Sequence, residues 1–217
     1  MRIYYISVWR NEKGSPPLEL CHARYLNDFN FFTKGTVNKF LTFSGNTVSQ
    51  RTAPGQRQSV KEGGDDGGEK WVHAYARSEG VCGIAVADHD YDKRIVHSLL
   101  SKVLDDFVTR YPRTAYVNLE PVPDSEKDRD GNSPQRCPLP ELKDYIVKWQ
   151  DPRQADNITK IQYELDETKI LIHKTIEGVL ERGEKIDNLV QKSDILNAQS
   201  KMFYTQAKKQ NSCCVVM

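Results

Sequence analysis

Residues 157–210 read NITKIQYELDETKILIHKTIEGVLERGEKIDNLVQKSDILNAQSKMFYTQAKKQ, fifty-odd positions without a proline. Their inward-facing positions step by alternating three and four: Ile158, Ile161, Leu165, Thr168, Ile172, Thr175, Val179, Arg182, Ile186, Leu189, Ser193, Leu196, Ser200, Phe203, Ala207 and Gln210. That is the a/d pattern of a coiled coil. At about 1.5 Å per residue such a helix is roughly 80 Å long. A helix of that length cannot pack along its whole extent on a domain of this size, so partner helices are implied. Gly178 and Gly183 weaken it near its centre by roughly 1 kcal/mol each relative to Ala, which suits a segment that becomes helical on pairing.

Arg182 stands in the seam between Val179 and Ile186. A guanidinium in an apolar layer is costly unless its donors find partners, and buried polar seam residues serve to set register. Its five donors would be met by three amide side chains from three neighbouring helices. On periodicity alone a second reading stands equally: an arginine turned to solvent beside Glu181 and Glu184.

Upstream, Ile3 to Trp9 is apolar on both faces and predicts a central strand. Leu18 to Tyr25 follows a Gly14-Ser15-Pro16-Pro17 turn and completes a hairpin. Thr36 to Val48 has helical spacing. Gln56 to Lys61, Trp71 to Ala76 and Val81 to Ala87 are three successive strand candidates, the first two separated by the loop of residues 63–68. Asp92 to Arg110 carries one continuous apolar stripe from Ile95 to Val108, and Pro112 stops it. The order strand-strand-helix-strand-strand-strand-helix implies an α+β fold, an antiparallel-rich sheet with flanking helices. Residues 120–140 read as a loop, followed by a short helix from Glu141 to Trp149.

The chain ends Asn211-Ser212-Cys213-Cys214-Val215-Val216-Met217. Cys214 begins a CaaX box whose final Met favours farnesyl, and Cys213 is placed for a reversible palmitate. One lipid gives marginal membrane binding and two give a stable anchor. Lys201, Lys208 and Lys209 precede the site, a weak basic patch.

Composition narrows the function classes. The 31 basic and 30 acidic residues nearly cancel, against a nucleic-acid protein. No apolar run approaches the roughly 20 residues of a membrane span, and the N-terminal run lacks a signal-peptide cleavage site. Cys21, Cys82 and Cys137 have no metal-binding spacing, and neither a metal nor a cofactor beyond covalent farnesyl and palmitoyl is expected. A prenylated small GTPase is excluded because no G-x-x-x-x-G-K-[ST] loop occurs. The five histidines form no triad or metal spacing, so no enzyme is expected. Asp88-His89-Asp90 reads as a turn between strand and helix. A lipid-anchored coiled-coil tether without fusion activity is the competing reading.

The stretches Glu164 to Lys169 and Val179 to Ile186 (VLERGEKI) closely resemble the motif of R-SNAREs of the synaptobrevin family. The tail resembles that of the doubly lipidated type without a transmembrane helix, and the N-terminal element order is similar to a longin domain. The resemblance covers essentially the whole chain. It implies a longin (profilin-like) domain over 1–150, a linker at 151–157, an R-SNARE coiled-coil motif over 158–210 as one long helix, and a lipidated tail at 211–217. Arg182 matches the family's central-layer arginine, and the seam residues match its packing layers. The resemblance further implies three Q-SNARE helices as partners, zippering toward the membrane, and prenyl-processing enzymes. It places the chain in the cytosol and on Golgi, endosomal, vesicle and vacuolar/lysosomal membranes. The loops 63–68 and 120–140 look expanded relative to the family.

A soluble pool needs a shelter for its lipid. Phe40 and Phe43, with Phe31 and Phe32 nearby, offer either domain core or a groove. As a groove they would hold the SNARE segment or the farnesyl chain against the chain's own longin domain in a closed form.

Overall fold

A computed structural model describes residues 1–62, 69–123, 126, 134–151 and 169–213; for Phe31, Phe32 and residues 207–213 it describes the backbone. Six strands form one sheet: β1 (Ile3–Arg10), β2 (Leu18–Arg24), β3 (Arg57–Glu62), β4 (Lys70–Ala76), β5 (Val81–Asp88) and β6 (Ile170–His173). Their order is β2-β1-β5-β4-β3-β6. The first five pair antiparallel, and β6 joins β3 in parallel, Arg57 opposite Ile170 and Val60 opposite His173. As its two-faced apolarity predicts, β1 is buried along its whole length.

One face of the sheet carries α2 (Lys93–Arg110) and α3 (Glu141–Lys148). Asp92 caps α2, accepting from the Arg94 N–H at 2.8 Å. The α2 stripe of Val96, Leu99, Leu100, Val103, Leu104 and Phe107 is entirely withdrawn from water and meets Ile6, Val8, Leu20, Val81 and Ala85. Each such side chain contributes roughly 1.5–3 kcal/mol by burial. The short α3 adds Leu142 and Ile146 to the same core.

The other face carries α1 (Phe31–Gln50), longer at both ends than its apolar spacing marks. Asn30 caps it, accepting from the Thr33 N–H at 3.0 Å. Leu41 and Val48 pack on Tyr5, Trp9, Val72, Ile84 and Val86. Gly45 lets the helix come close: a β-carbon there would stand 3.3 Å from both Trp9 and Tyr5.

The α+β class and the element order expected for residues 1–150 hold. The C-terminal segment takes a different course from the single helix expected. Its described part runs through β6, a 3-10 turn (Ile176–Val179), α4 (Ile186–Lys192) and α5 (Ala198–Cys213). The physical reason lies in the heptad itself. An a/d stripe is stabilised only when other helices cover it. In the lone chain some of these residues, Ile186 and Leu196 among them, are instead buried against Phe43 of α1. The layer positions Ile158, Ile161, Leu165 and Thr168, the linker at 152–157, the loop 63–68, most of 124–133 and Cys214 lie outside the described residues.

Candidate functional site

The C-terminal segment wraps over the outer side of α1, so that α1 is sandwiched between it and the sheet. Phe43, 6% exposed, forms a cluster with Ile186, Val190 and Leu196. Phe40, Ile176, Leu180, Leu189, Ile195 and Tyr204 pack around them. The Phe40 ring lies 6.4 Å from both Phe203 and Tyr204, tilted against each, within the range where aromatic pairs attract.

Local polar bonds shape this path. The Ser193 hydroxyl accepts from the N–H groups of Ile195 and Leu196 at 3.1 and 3.4 Å, turning the chain after α4. Asn197 accepts from the Ser200 N–H at 2.9 Å and starts α5. Tyr204 donates to Asp187 at 3.0 Å, tying α5 to α4, and the same bond joins burial in pushing its phenol pKa up. Arg51, at the C-terminus of α1, binds Glu184 with both Nε and Nη2. That hydrogen bond, with a second from the Glu181 N–H, holds the Glu184 carboxyl below the usual carboxylate range.

The expected layer residues divide around Arg182. On its C-terminal side Ile186, Leu196 and Ser200 are buried, and Leu189 and Ser193 are half-buried. Arg182 and Thr175 are exposed, Val179 is half-buried, and Ile172 on β6 is 60% exposed. Phe203 is 49% exposed despite its contact with Phe40. The side chains of Ala207, Gln210 and Cys213 are outside the described residues. The seam thus does not form one face here; Ile186, Leu196 and Ser200 are covered and Arg182 faces water.

The segment also uses apolar residues that no a/d stripe requires. Ile176, Leu180, Val190 and Ile195 lie off the seam, and Val190 is fully buried. This surplus is the sequence signal for a second packing mode. Arg51 and Glu184 carry no such signal, since both read as ordinary surface charges.

Elsewhere the structure brings two scattered histidines together. Ser59 on β3 lies 2.9 Å from His73 Nδ1 and 3.0 Å from His97 Nε2, all three at 0% exposure. Burial drives both imidazoles down, His97 to about 3. The cluster is a polar pin between the sheet and α2, closed to any substrate. Asp88-His89-Asp90 sits at the end of β5 and the turn into α2, with Asp88 accepting from the Tyr4 hydroxyl at 2.7 Å. Cys21, Cys82 and Cys137 are buried thiols. Among the described residues no acidic, His or Cys group could hold a metal ion, and no helix is long and apolar enough to cross a membrane.

Comparison with known proteins matches two parts of the chain separately. A family profile described as Synaptobrevin matches residues 157–215, and one described as a Regulated-SNARE-like domain (Longin) matches residues 26–127. Proteins called Synaptobrevin homolog YKT6 align along their full length with the full length of this chain. The one from Saccharomyces cerevisiae is 48% identical over 217 residues, 100% of each chain. The one from Candida glabrata is 50% identical over 221 residues, again 100% of each. The one from Schizosaccharomyces pombe is 43% identical over 217 residues, with the same coverage. With full-length relatives at that identity, and both of its parts matched separately, the chain belongs to the synaptobrevin family, as a longin domain followed by a synaptobrevin segment.

Proposed function

We propose that this chain is an R-SNARE of vesicle traffic that alternates between a closed form and a four-helix bundle. In the bundle it supplies one helix, with Arg182 in the central layer and the seam from Ile158 to Gln210 as packing layers, and three Q-SNARE helices supply the rest. Apolar burial along the seam drives assembly. Arg182 fixes register, because a slip by one layer strands its guanidinium among apolar side chains. Phe40 and Phe43 form the groove that holds the segment when no partner is present. Farnesyl on Cys214 and palmitate on Cys213 attach the chain to Golgi, endosomal, vesicle and vacuolar membranes, and the closed form supplies its cytosolic pool.

The single observation that carries this reading is the burial of Ile186 and Leu196 against Phe43 of α1 while Arg182 stays exposed. Residues spaced for a helical seam are occupied by the chain's own domain, so assembly and closure compete for the same side chains.

The test mixes the segment from Asp151 to Ser212 with three candidate Q-SNARE helices. Helicity is followed by circular dichroism and the mass of the complex is measured. A large helical gain with a one-to-one-to-one-to-one mass is expected. Self-association of the segment, without gain against several Q-SNARE sets, would replace this reading with a lipid-anchored tether.

A further inference from the structure

Two glycines shape the folded-back course. Gly183, between the 3-10 turn and α4, has a φ of +92°, in the left-handed region that L side chains rarely enter. A β-carbon there would meet nothing within 4 Å, so the constraint is one of backbone and not of space. Gly178 lies inside the 3-10 turn against His173, the last residue of β6. A β-carbon there would stand 3.2 Å from His173 Nδ1 and 3.3 Å from its Cβ, tight enough that the imidazole must give way. Nearby, His173 Nε2 is itself buried, which restricts the room to move.

In a continuous helix the preference reverses. Neither position needs a left-handed backbone, and alanine is favoured over glycine by about five-fold in the helix equilibrium at each site. The two residues that permit the strand-and-turn course are thus the two that penalise the long helix. Arg182 stands between them, on the exposed side of the bend.

We propose that Gly178 and Gly183 are the conformational hinge that makes residues 170–192 two-state. They set the balance between the closed course on α1 and a continuous helix. The inference rests on the reading above that this segment leaves α1 to join a bundle. An alanine at position 183 would act twice in one direction: it strains the left-handed turn, by on the order of ten-fold, and it improves the helix.

The experiment uses the full-length chain and reads amide hydrogen exchange in peptides covering 170–173 and 186–192. Gly183→Ala is expected to speed exchange there on the order of ten-fold or more, and Gly178→Ala by a smaller factor. Gly183→Asn, which tolerates a left-handed backbone and forms helix poorly, is expected to stay close to the unsubstituted protein. Gly14→Ala serves as the control. It has a φ of +85° and open space around it, in the β1–β2 turn, and is expected to leave the segment unchanged. Unchanged exchange in Gly183→Ala, or an equal rise in Gly14→Ala, overturns the proposal. Val190→Asp, which removes a fully buried contact of the closed form at a position off the seam, and an assembly-rate measurement with three Q-SNARE helices separate the two readings. If Gly183→Ala opens the segment without speeding assembly, the hinge stands and the functional reading falls. If Val190→Asp opens the segment and speeds assembly while Gly183→Ala does neither, the hinge falls and the functional reading stands.

Discussion

Arg51 and Glu184 meet across the boundary between the two parts of the chain, Nη2 lying 2.8 Å from one carboxylate oxygen and 3.0 Å from the other. Arg51 closes α1 and also donates to the Thr47 carbonyl at 3.0 Å. Glu184 sits two residues past Arg182, so the clasp pins the segment next to its central position.

This pair is partly open to solvent, with Glu184 side-chain exposure of 29%, so it contributes about 1 kcal/mol at most after screening. Arg51→Gln is expected to raise exchange in α4 by up to about five-fold at low salt. The swap Arg51→Glu with Glu184→Arg is expected to recover most of that. The native carboxyl is depressed, so the contribution is complete above the ordinary glutamate value near ~4.3 and is lost as pH falls through the native one. A response to Arg51→Gln that ignores salt would disqualify the electrostatic account.

Phe43 is the α1 side chain at the centre of the contact with the C-terminal segment. Its truncation to alanine removes a buried ring from the cluster with Ile186, Val190 and Leu196, at a cost of about 3 kcal/mol. Protease sensitivity between residues 176 and 196 should rise while the sheet remains intact by circular dichroism. In cells, Phe43→Glu is expected to move the protein from cytosol to membranes. An unchanged distribution would remove Phe43 from any sheltering role.

Arg182 is exposed in the closed chain, so Arg182→Leu should leave closure untouched and act only in the bundle. Assembly with Q-SNARE helices is expected to persist with looser register, read as heterogeneous distances between paired spin labels. Uniform register together with full fusion of vesicles would count against the role given to this residue.

The Ser59–His73–His97 pin predicts sensitivity to acid. Both imidazoles are held neutral by burial, His97 down to about 3. A lowered native pKa means the stability is complete above the ordinary histidine value near ~6.5. Each group then withdraws about 1.4 kcal/mol per pH unit as pH falls below that value. The melting temperature should drop steeply between about pH 6 and 4, and less steeply in His97→Gln. Parallel profiles for the two proteins would show that these rings do not control the acid response.

The N-terminal fold was legible because each element announces its own partner. The stripe from Ile95 to Val108 fits one sheet face, and the two-faced run from Ile3 to Trp9 fits the middle of a sheet. Residues 170–173 were not legible in the same way. Ile170-Leu171-Ile172-His173 is at once a stretch of a heptad and a short apolar run with two β-branched residues. Periodicity cannot arbitrate between these, because the answer depends on which surfaces are present. The groove itself was half legible. Phe43 could be named from sequence, whereas Val190 and Leu180 look like excess apolarity until α1 is seen beneath them. The Ser59–His73–His97 contact was invisible, since it depends on the β3–β4 register that sets Ser59 opposite His73 and on where α2 settles over that pair.

The parallel pairing of β6 on β3 also bears on colloidal behaviour. Without it, the six residues of β3 would form an unpaired margin of the sheet, a template for sheet-to-sheet aggregation. The strand that covers this margin is only four residues long, and exposed Lys169 and Lys174 stand at its two ends. Short length and flanking charge are how natural sheets blunt an outer strand. The folded-back segment therefore works as a hem on the sheet, and on the proposed opening a chain that releases it is expected to be exposed to self-association until the segment returns.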